Sequence, residues 1–175
     1  MRTQFRLILA LTALISAAGL FTSCDGDISY TLEGTWEGNM FQEYYYEGTT
    51  YSPSYTEVTF LKDPYAYSSG AGYWVDYFES WIPWKNTYIA NHITWVVEGG
   101  NIYIHLVEDR LDFTICDYHL SDEHFRGELI GSDGSYGRFN LRHVASPNWD
   151  DYYWGYSTRS GESHTEPVLP QRITH

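Results

Sequence analysis

The side chains best suited to chemistry in this sequence are aromatic rings gathered in one stretch. The rings are Tyr73, Trp74, Tyr77, Trp81 and Trp84. Flat aromatic faces stack against sugar rings, and polar side chains in the same stretch can hydrogen-bond hydroxyl groups: Asp76, Glu79 and Asn86. The stretch is therefore a candidate ligand-binding loop. Large rings serve equally well as core packing, so filling and covering the fold is the other interpretation of these residues.

A second group of reactive side chains brackets one predicted turn. His119 and His124 lie near Asp117 and Asp122, and mixtures of His and carboxylate bind divalent metals in many proteins. The spacing matches no established ligand motif, and an acidic hairpin is ordinarily solvated. We therefore predict no metal site and no cofactor.

Nucleophilic catalysis is the third chemistry to consider. Cys116 is a lone thiol in a predicted strand, where an unpaired Cys is usually a small buried hydrophobe. The sequence holds no G-x-S-x-G, H-E-x-x-H or Walker loop. Its paired carboxylates, such as Glu108-Asp109, are sequence neighbours in predicted turns. The protein is predicted not to be an enzyme, and a hydrolase is the weakest of the alternatives.

The first 23 residues have the layout of a secretory signal. Arg2 and Arg6 form a positive start, and residues 7–20 are an apolar run of 14 residues. A membrane-spanning helix needs about 20 apolar residues, so this run is too short. Cys24 follows small residues and resembles the Cys of the bacterial lipobox, whose thiol is lipidated with chains such as palmitate. The sequence predicts a lipid-anchored protein of the cell envelope, with an ordinary secreted protein as the alternative.

Composition narrows the possible partners. Residues 24–175 number 152, which is enough for one domain with a core. Without Arg2 and Arg6 the formal net charge changes from −13 to −15. Such an acidic domain repels phosphate backbones, so nucleic acid is not a predicted partner. With Cys24 assigned to the lipid, the fold cannot depend on an intramolecular disulfide.

From Trp36 onward, apolar residues recur with a period of two, which is typical of strands with one buried face. The clearest strand, residues 92–97, places Ile93, Trp95 and Val97 together, and Trp95 joins the candidate ligand contacts.

Turn signals separate these strands about every 10 to 12 residues in the later part of the chain. Gly99-Gly100 predicts a hairpin turn, and a shift of the apolar face predicts a bulge near Cys116 or Asp117. The pattern predicts an all-β fold: about eight antiparallel strands in an up-and-down meander that closes into a barrel, with a β-sandwich as the alternative.

Leu32, Gly34 and Trp36 form an L-x-G-x-W motif at the head of this meander. With the lipobox, the strand that holds Trp95 and a later F-x-G strand, it resembles the small lipocalin-like lipoproteins of Gram-negative bacteria. The resemblance implies that Gly34 allows a sharp turn into the first strand and that Trp36 plugs one end of the barrel. It also implies an Arg from the last strand stacked over Trp36, and Arg142 or Arg138 are the candidates. It implies binding of a ligand or partner without catalysis.

These observations predict a signal peptide (1–23), a lipidated tether (24–31), a lipocalin-like barrel (32–145) and an aromatic segment with a disordered tail (146–175). The predicted function is non-catalytic binding of a small apolar or amphipathic ligand in the barrel. The alternative is a surface module that holds a glycan or a protein on its Trp and Tyr loops. The predicted location is the outer membrane, on its periplasmic face or at the cell surface.

Overall fold

A computed structural model describes residues 25–79, 82–83, 87–146, 148, 152, 154–155 and 171–174. The described residues form one short helix and eleven strands. In chain order these are α1 (Asp25–Leu32), β1 (Gly34–Asn39), β2 (Gln42–Tyr46), β3 (Thr49–Tyr51), β4 (Tyr55–Lys62), β5 (Ser69–Tyr77), β6 (Tyr88–Glu98), β7 (Asn101–Leu106), β8 (Leu111–Leu120), β9 (His124–Gly131), β10 (Tyr136–Val144) and β11 (Gln171–Thr174).

Eight of the described strands close into an antiparallel barrel, in the order β1-β10-β9-β8-β7-β6-β5-β4. From β4 to β10 each strand pairs with its neighbour in the chain, and β1 closes the ring by pairing with both β4 and β10. This confirms the predicted all-β, up-and-down barrel and excludes the sandwich. The predicted inward face of β6 is also confirmed, because Ile93, Trp95 and Val97 are buried while Thr94 and Val96 are exposed.

Local backbone conformation explains two predicted irregularities. Gly99 and Gly100 both have positive φ, 59° and 80°, and only a residue without a Cβ adopts two such conformations in succession at little cost. They form the β6–β7 hairpin. Further along, the pairing of β8 with β9 shifts register between Cys116 and His119, and Asp117 has a φ of 45°. The predicted bulge is therefore confirmed.

The core fills the space that the barrel encloses. Eighteen described residues, which come from α1, the barrel strands and the β1–β2 connection, form one buried cluster. Its largest side chains include Trp36, Trp74, Phe60 and Phe125. Trp36 meets Phe125 edge to face with ring centroids 5.6 Å apart, and Trp74 stacks on Phe113 at 5.7 Å. An eight-strand barrel is narrow enough for side chains to occupy its interior.

Helix α1 packs against one end of the barrel, called here the helix end. Leu32 is fully buried there, and its carbonyl accepts a hydrogen bond from Trp36 Nε1 at 2.8 Å. The Asp25 carboxylate accepts hydrogen bonds from the amides of Gly99 (3.3 Å) and Gly100 (3.1 Å). These contacts join the helix to the β6–β7 hairpin and fix its position.

The opposite end of the barrel is covered by a second sheet, called here the lid. The lid consists of three of the described strands in the order β11-β2-β3. Strands β2 and β3 are a hairpin within the connection from β1 to β4, and β11 is added antiparallel to β2 from the end of the chain. Tyr44, Phe78, Ile82 and Ile89 form a second buried cluster between lid and barrel.

Two of the predicted segments contain regular elements that the sequence pattern does not indicate. The predicted tether at 24–31 is helical over Asp25–Leu32, because buried contacts stabilise a helix that has no helical period in its sequence. The expected disordered tail includes strand β11, which is held by pairing with β2.

The predicted signal peptide and Cys24 lie outside the described residues. No described helix combines the length and the apolar character required for crossing a membrane.

We expect Trp36→Ala to lower the free energy of unfolding by about 3 to 5 kcal/mol, because it removes the largest ring from a packed core. Urea denaturation followed by circular dichroism measures the change. Tyr65→Ala is the matched control, since Tyr65 is 94% exposed and should shift stability by less than about 0.5 kcal/mol. Equal effects of the two substitutions would contradict the assignment of Trp36 to the core.

Candidate functional site

A hydrogen-bonded group of polar side chains lies between the lid and the barrel and is centred on Asp76 of β5. Asp76 is fully buried. Among the described residues, four donors reach its carboxylate: Thr56 at 2.5 Å, Tyr44 at 2.5 Å, Trp74 Nε1 at 3.0 Å and Arg172 Nη1 at 2.6 Å. A buried charge requires such compensation, because removal from water is otherwise costly.

The guanidinium of Arg172 reaches this carboxylate from strand β11. Its side chain is 1% exposed. Besides Asp76 it bonds Asp109 in the β7–β8 turn, with 3.0 Å between Nε and Oδ2, and the side-chain oxygen of Gln42. The guanidinium carbon also lies 4.8 Å from the ring centroid of Tyr44 and 5.4 Å from that of Trp74. We name this arrangement of Asp76, Asp109, Gln42, Tyr44 and Trp74 the guanidinium cage.

Cations over aromatic faces and bidentate acidic partners are the two interactions that suit arginine best. The cage supplies aromatic faces and, in place of one bidentate partner, two carboxylates that each accept one hydrogen bond, from elements far apart in the chain, namely β2, β5 and the β7–β8 turn. It is therefore a built cation site whose occupant is the protein's own C-terminal strand.

Several buried polar atoms beside the cage have no hydrogen-bond partner among the described residues. They are Gln42 Nε2, Asp109 Oδ1 and Asn91 Nδ2. Asn91 belongs to this region because its Oδ1 accepts a hydrogen bond from the Asp109 amide at 3.0 Å. Most buried polar atoms in proteins are satisfied, so this concentration at one end of the barrel is unusual.

A separate aromatic cluster lies on the outside of the barrel, over β4, β5 and β6. Tyr55 stacks on Tyr77 with centroids 4.5 Å apart, and the Tyr77 hydroxyl donates to Glu57 at 2.6 Å. The late segment of the chain covers this wall: Trp154 stacks on Tyr73 at 5.0 Å, and Tyr152 hydrogen-bonds Tyr77.

Burial shapes the ionisation of this wall. Desolvation raises the pKa of Tyr77, and its hydrogen bonds to Glu57 and Tyr152 raise it further. Desolvation is also the largest cause that raises the pKa of Glu57; the hydrogen bond from Tyr77 opposes it, and the nearby charge of Glu37 adds to it. The environment of this wall therefore favours the neutral forms of Tyr77 and Glu57.

The structure separates the predicted ligand-binding residues. Trp74 and Trp95 point into the core, and Trp95 donates from Nε1 to the Ala71 carbonyl at 2.9 Å. Tyr73 and Tyr77 lie on the outer wall against the chain's own aromatic rings. Trp81 and Trp84 lie outside the described residues. The described candidates thus form no common surface, since consecutive residues of a strand face opposite sides.

The predicted signature residues Gly34, Trp36 and Arg142 lie in different environments. Gly34 has a φ of 131°, and a Cβ there would come within 2.2 Å of the His143 ring. Trp36 lies in the core, with the His143 ring 4.9 Å away. Arg142 instead pairs with Glu37 at 2.8 Å on the outside, because its partner in the β1–β10 register is Glu37. Arg138 is likewise exposed and lies 3.7 Å from Glu128. The expected stacking of Arg142 or Arg138 over Trp36 is therefore not the arrangement observed.

The bulge of β8 brings Cys116, Asp117 and Glu128 together, with ligand-type atoms within 4.8 Å of one another. Desolvation raises the pKa of the Cys116 thiol, and the two carboxylates raise it further. These effects disfavour the free thiolate that nucleophilic attack requires.

Two open grooves lie on the outer surface. One, of about 330 Å³, runs over β6, β7 and β8 and includes Val96, Tyr103 and Thr114. The other, of about 570 Å³, lies between α1 and the β8 bulge and includes Ile28 and Tyr118.

Asp76→Asn should lower the free energy of unfolding by about 3 to 5 kcal/mol, because it leaves Arg172 buried without its closest carboxylate. Urea denaturation measures the loss. Asp112→Asn removes an exposed carboxylate that pairs with His105, and should change stability by at most about 1 kcal/mol. A tolerated Asp76→Asn would mean that the cage does not hold the lid.

Glu57→Gln should raise the thermal midpoint at neutral pH. The folded-state pKa of Glu57 is raised, so its contribution to stability is complete at acid pH and is lost as the pH rises through that pKa. The advantage of the variant over the wild type should therefore be present at about pH 7 and disappear at about pH 3.5, where both side chains are neutral. Thermal melts across this range measure it, with Glu98→Gln controlling for net charge. An advantage independent of pH would contradict the assignment.

The chain was compared with protein-family models, with curated proteins and with solved structures, and none of the three comparisons gave a match.

Proposed function

We propose that this protein is a lipid-anchored, non-catalytic binding module of the cell envelope, in which a packed barrel is the scaffold for a protein-binding surface. The observation that carries the proposal is the packing of the barrel interior, where Trp36, Trp74 and Phe60 belong to one continuous buried cluster. Binding on the outside or at the lid requires no rearrangement of this core, which favours a surface function.

The rival function is the binding of a small apolar or amphipathic ligand inside the barrel, as the lipocalin resemblance implies. Eight-strand barrels do hold one small ligand in some families. Here such a ligand would have to displace several large rings, and each lost core contact lowers stability. This consideration favours the scaffold.

Among surface partners, a protein is favoured over a glycan. Stacking on a sugar requires a free ring face, and two of the rings predicted to bind a ligand already stack on other rings of the chain, Tyr73 on Trp154 and Tyr77 on Tyr55. The acidic character of the domain further favours a partner with basic groups.

A lipid on Cys24 would orient the molecule. Cys24 directly precedes α1, and α1 is packed at the helix end, so an anchor there would hold the helix end near the bilayer and the lid away from it. Tyr30, Tyr65 and Tyr67 are 74%, 94% and 88% exposed, and tyrosine is enriched at membrane–water interfaces. The outer membrane is the proposed location.

The anchor is tested by Cys24→Ser. We expect the variant to lose incorporation of labelled fatty acid and to move from the membrane fraction to the soluble fraction, whereas Cys116→Ser should change neither. A Cys24→Ser protein that stays labelled and membrane-bound would refute the anchor.

Native mass spectrometry of the protein, purified gently from membranes, tests the packed scaffold. The expected mass is that of the processed chain with its lipid. A further small-molecule adduct that is lost on denaturation would overturn the scaffold proposal and favour the ligand-filled barrel. In the same preparation, chemical crosslinking should capture a discrete protein partner; retention on glycans instead would favour the glycan alternative.

A further inference from the structure

Strand β11 is attached to the described structure by its backbone pairing with β2 and by the cage. It is four residues long and, among the described strands, lies at the edge of the lid next to β2, with Arg172 opposite Tyr44. A short edge strand is a weak unit, and its backbone hydrogen bonds can be replaced by those of any other extended segment. The side chain of Arg172 therefore provides the specificity of this contact.

The cage recognises the chemistry of a guanidinium, not merely its charge. Two carboxylates approach it from different sides, at 2.6 Å and 3.0 Å, and two aromatic rings lie within 5.4 Å of its central carbon. An ammonium group is a compact point charge, and it does not reproduce the planar set of donors with which the guanidinium bonds both carboxylates and Gln42 beside the two rings. Any arginine presented at the same register of β2 would make the same contacts.

A second observation is a set of buried polar side-chain atoms beside the cage. Gln42 Nε2, Asp109 Oδ1 and Asn91 Nδ2 are buried beside the cage without partners among the described residues. Each such atom destabilises the protein unless it is satisfied. A binding site that must also hold the polar groups of another chain explains why they persist.

We propose that the lid end is a binding site for an arginine-bearing extended segment of another polypeptide, and that Arg172 is its intramolecular occupant. The segment adds to the β2 edge as an antiparallel strand and places its arginine in the cage, while β11 is displaced. This proposal rests on the proposed protein-binding function and names the chemistry of the partner.

Competition from β11 and its Arg172 determines how tightly the partner segment binds. A tethered strand competes at high effective concentration, so a partner binds the wild type more weakly than a protein whose cage has lost its own arginine. The exchange is nearly neutral in contacts, because the incoming strand makes the bonds that the outgoing strand gives up. Binding should therefore be selective but reversible.

Fluorescence anisotropy with full-length Arg172→Ala tests the site. The probe is a labelled peptide with the sequence of residues 168–175, and the comparison peptide has citrulline, a neutral isostere, in place of arginine. We expect the arginine peptide to bind about tenfold or more tightly than the citrulline peptide, the ratio typical of losing one charge-assisted hydrogen-bonding group. Wild-type protein and the control Arg138→Ala, which changes an exposed arginine, should bind both peptides more weakly than Arg172→Ala does.

Chemical rescue keeps the proposal testable if Arg172→Ala binds no peptide because it is unstable. Ethylguanidinium should raise the thermal midpoint of Arg172→Ala, ethylammonium should raise it less, and neither should do so for Arg138→Ala. Equal affinity for the two peptides, or equal rescue by the two cations, would overturn the proposal. The fractionation and native mass experiments do not involve Arg172, so a failure here is distinguishable from a failure of the proposed function.

Discussion

The burial of one carboxylate organises the whole lid end of this protein. Asp76 lies where water cannot reach it, so its oxygens must be satisfied by donors from the chain. Those donors come from β2, β4, β5 and β11, so a single group joins the lid hairpin, two barrel strands and the C-terminal strand. The charge of Asp76 is what requires these donors, and this electrostatic requirement distinguishes the lid end from the helix end. The helix end is closed by Leu32 and Trp36, while the lid end combines an apolar cluster with the buried charges of Asp76, Asp109 and Arg172.

The barrel could be predicted because the sequence signals for its strands and turns are local. Strands such as β6 and β7 show an alternation that gives their inward faces, and the glycines at 99 and 100 determine the turn between them. Each strand from β4 to β10 pairs with its sequence neighbour, so no long-range choice is needed apart from closure by β1. The aromatic stretch is evident in the sequence, yet the alternation of side chains along β5 directs Trp74 inward and Tyr73 outward.

The cage could not be predicted because its residues are far apart in the sequence. Arg172 reaches Gln42 across 130 residues, and nothing near either residue signals the other. Gln171–Thr174 has only Ile173 and Thr174 as strand formers, and such a short run acquires its structure from β2 rather than from propensity. Helix α1 is a similar case: its eight residues lack an apolar stripe, and tertiary contacts through Asp25 and Leu32 hold it. In the sequence Asp76 is a polar neighbour of the aromatic rings. Its burial is not evident there, because the lid that covers it is formed by other parts of the chain.

The position of Arg172 in the chain has a consequence for folding. The eight barrel strands, together with β2 and β3, all precede β11 in the sequence. A folding intermediate in which the barrel has closed but β11 has not docked holds the carboxylates of Asp76 and Asp109 at the barrel mouth without their guanidinium. Docking of β11 is therefore the step that neutralises this end of the barrel, and it joins the completion of the lid to the burial of charge.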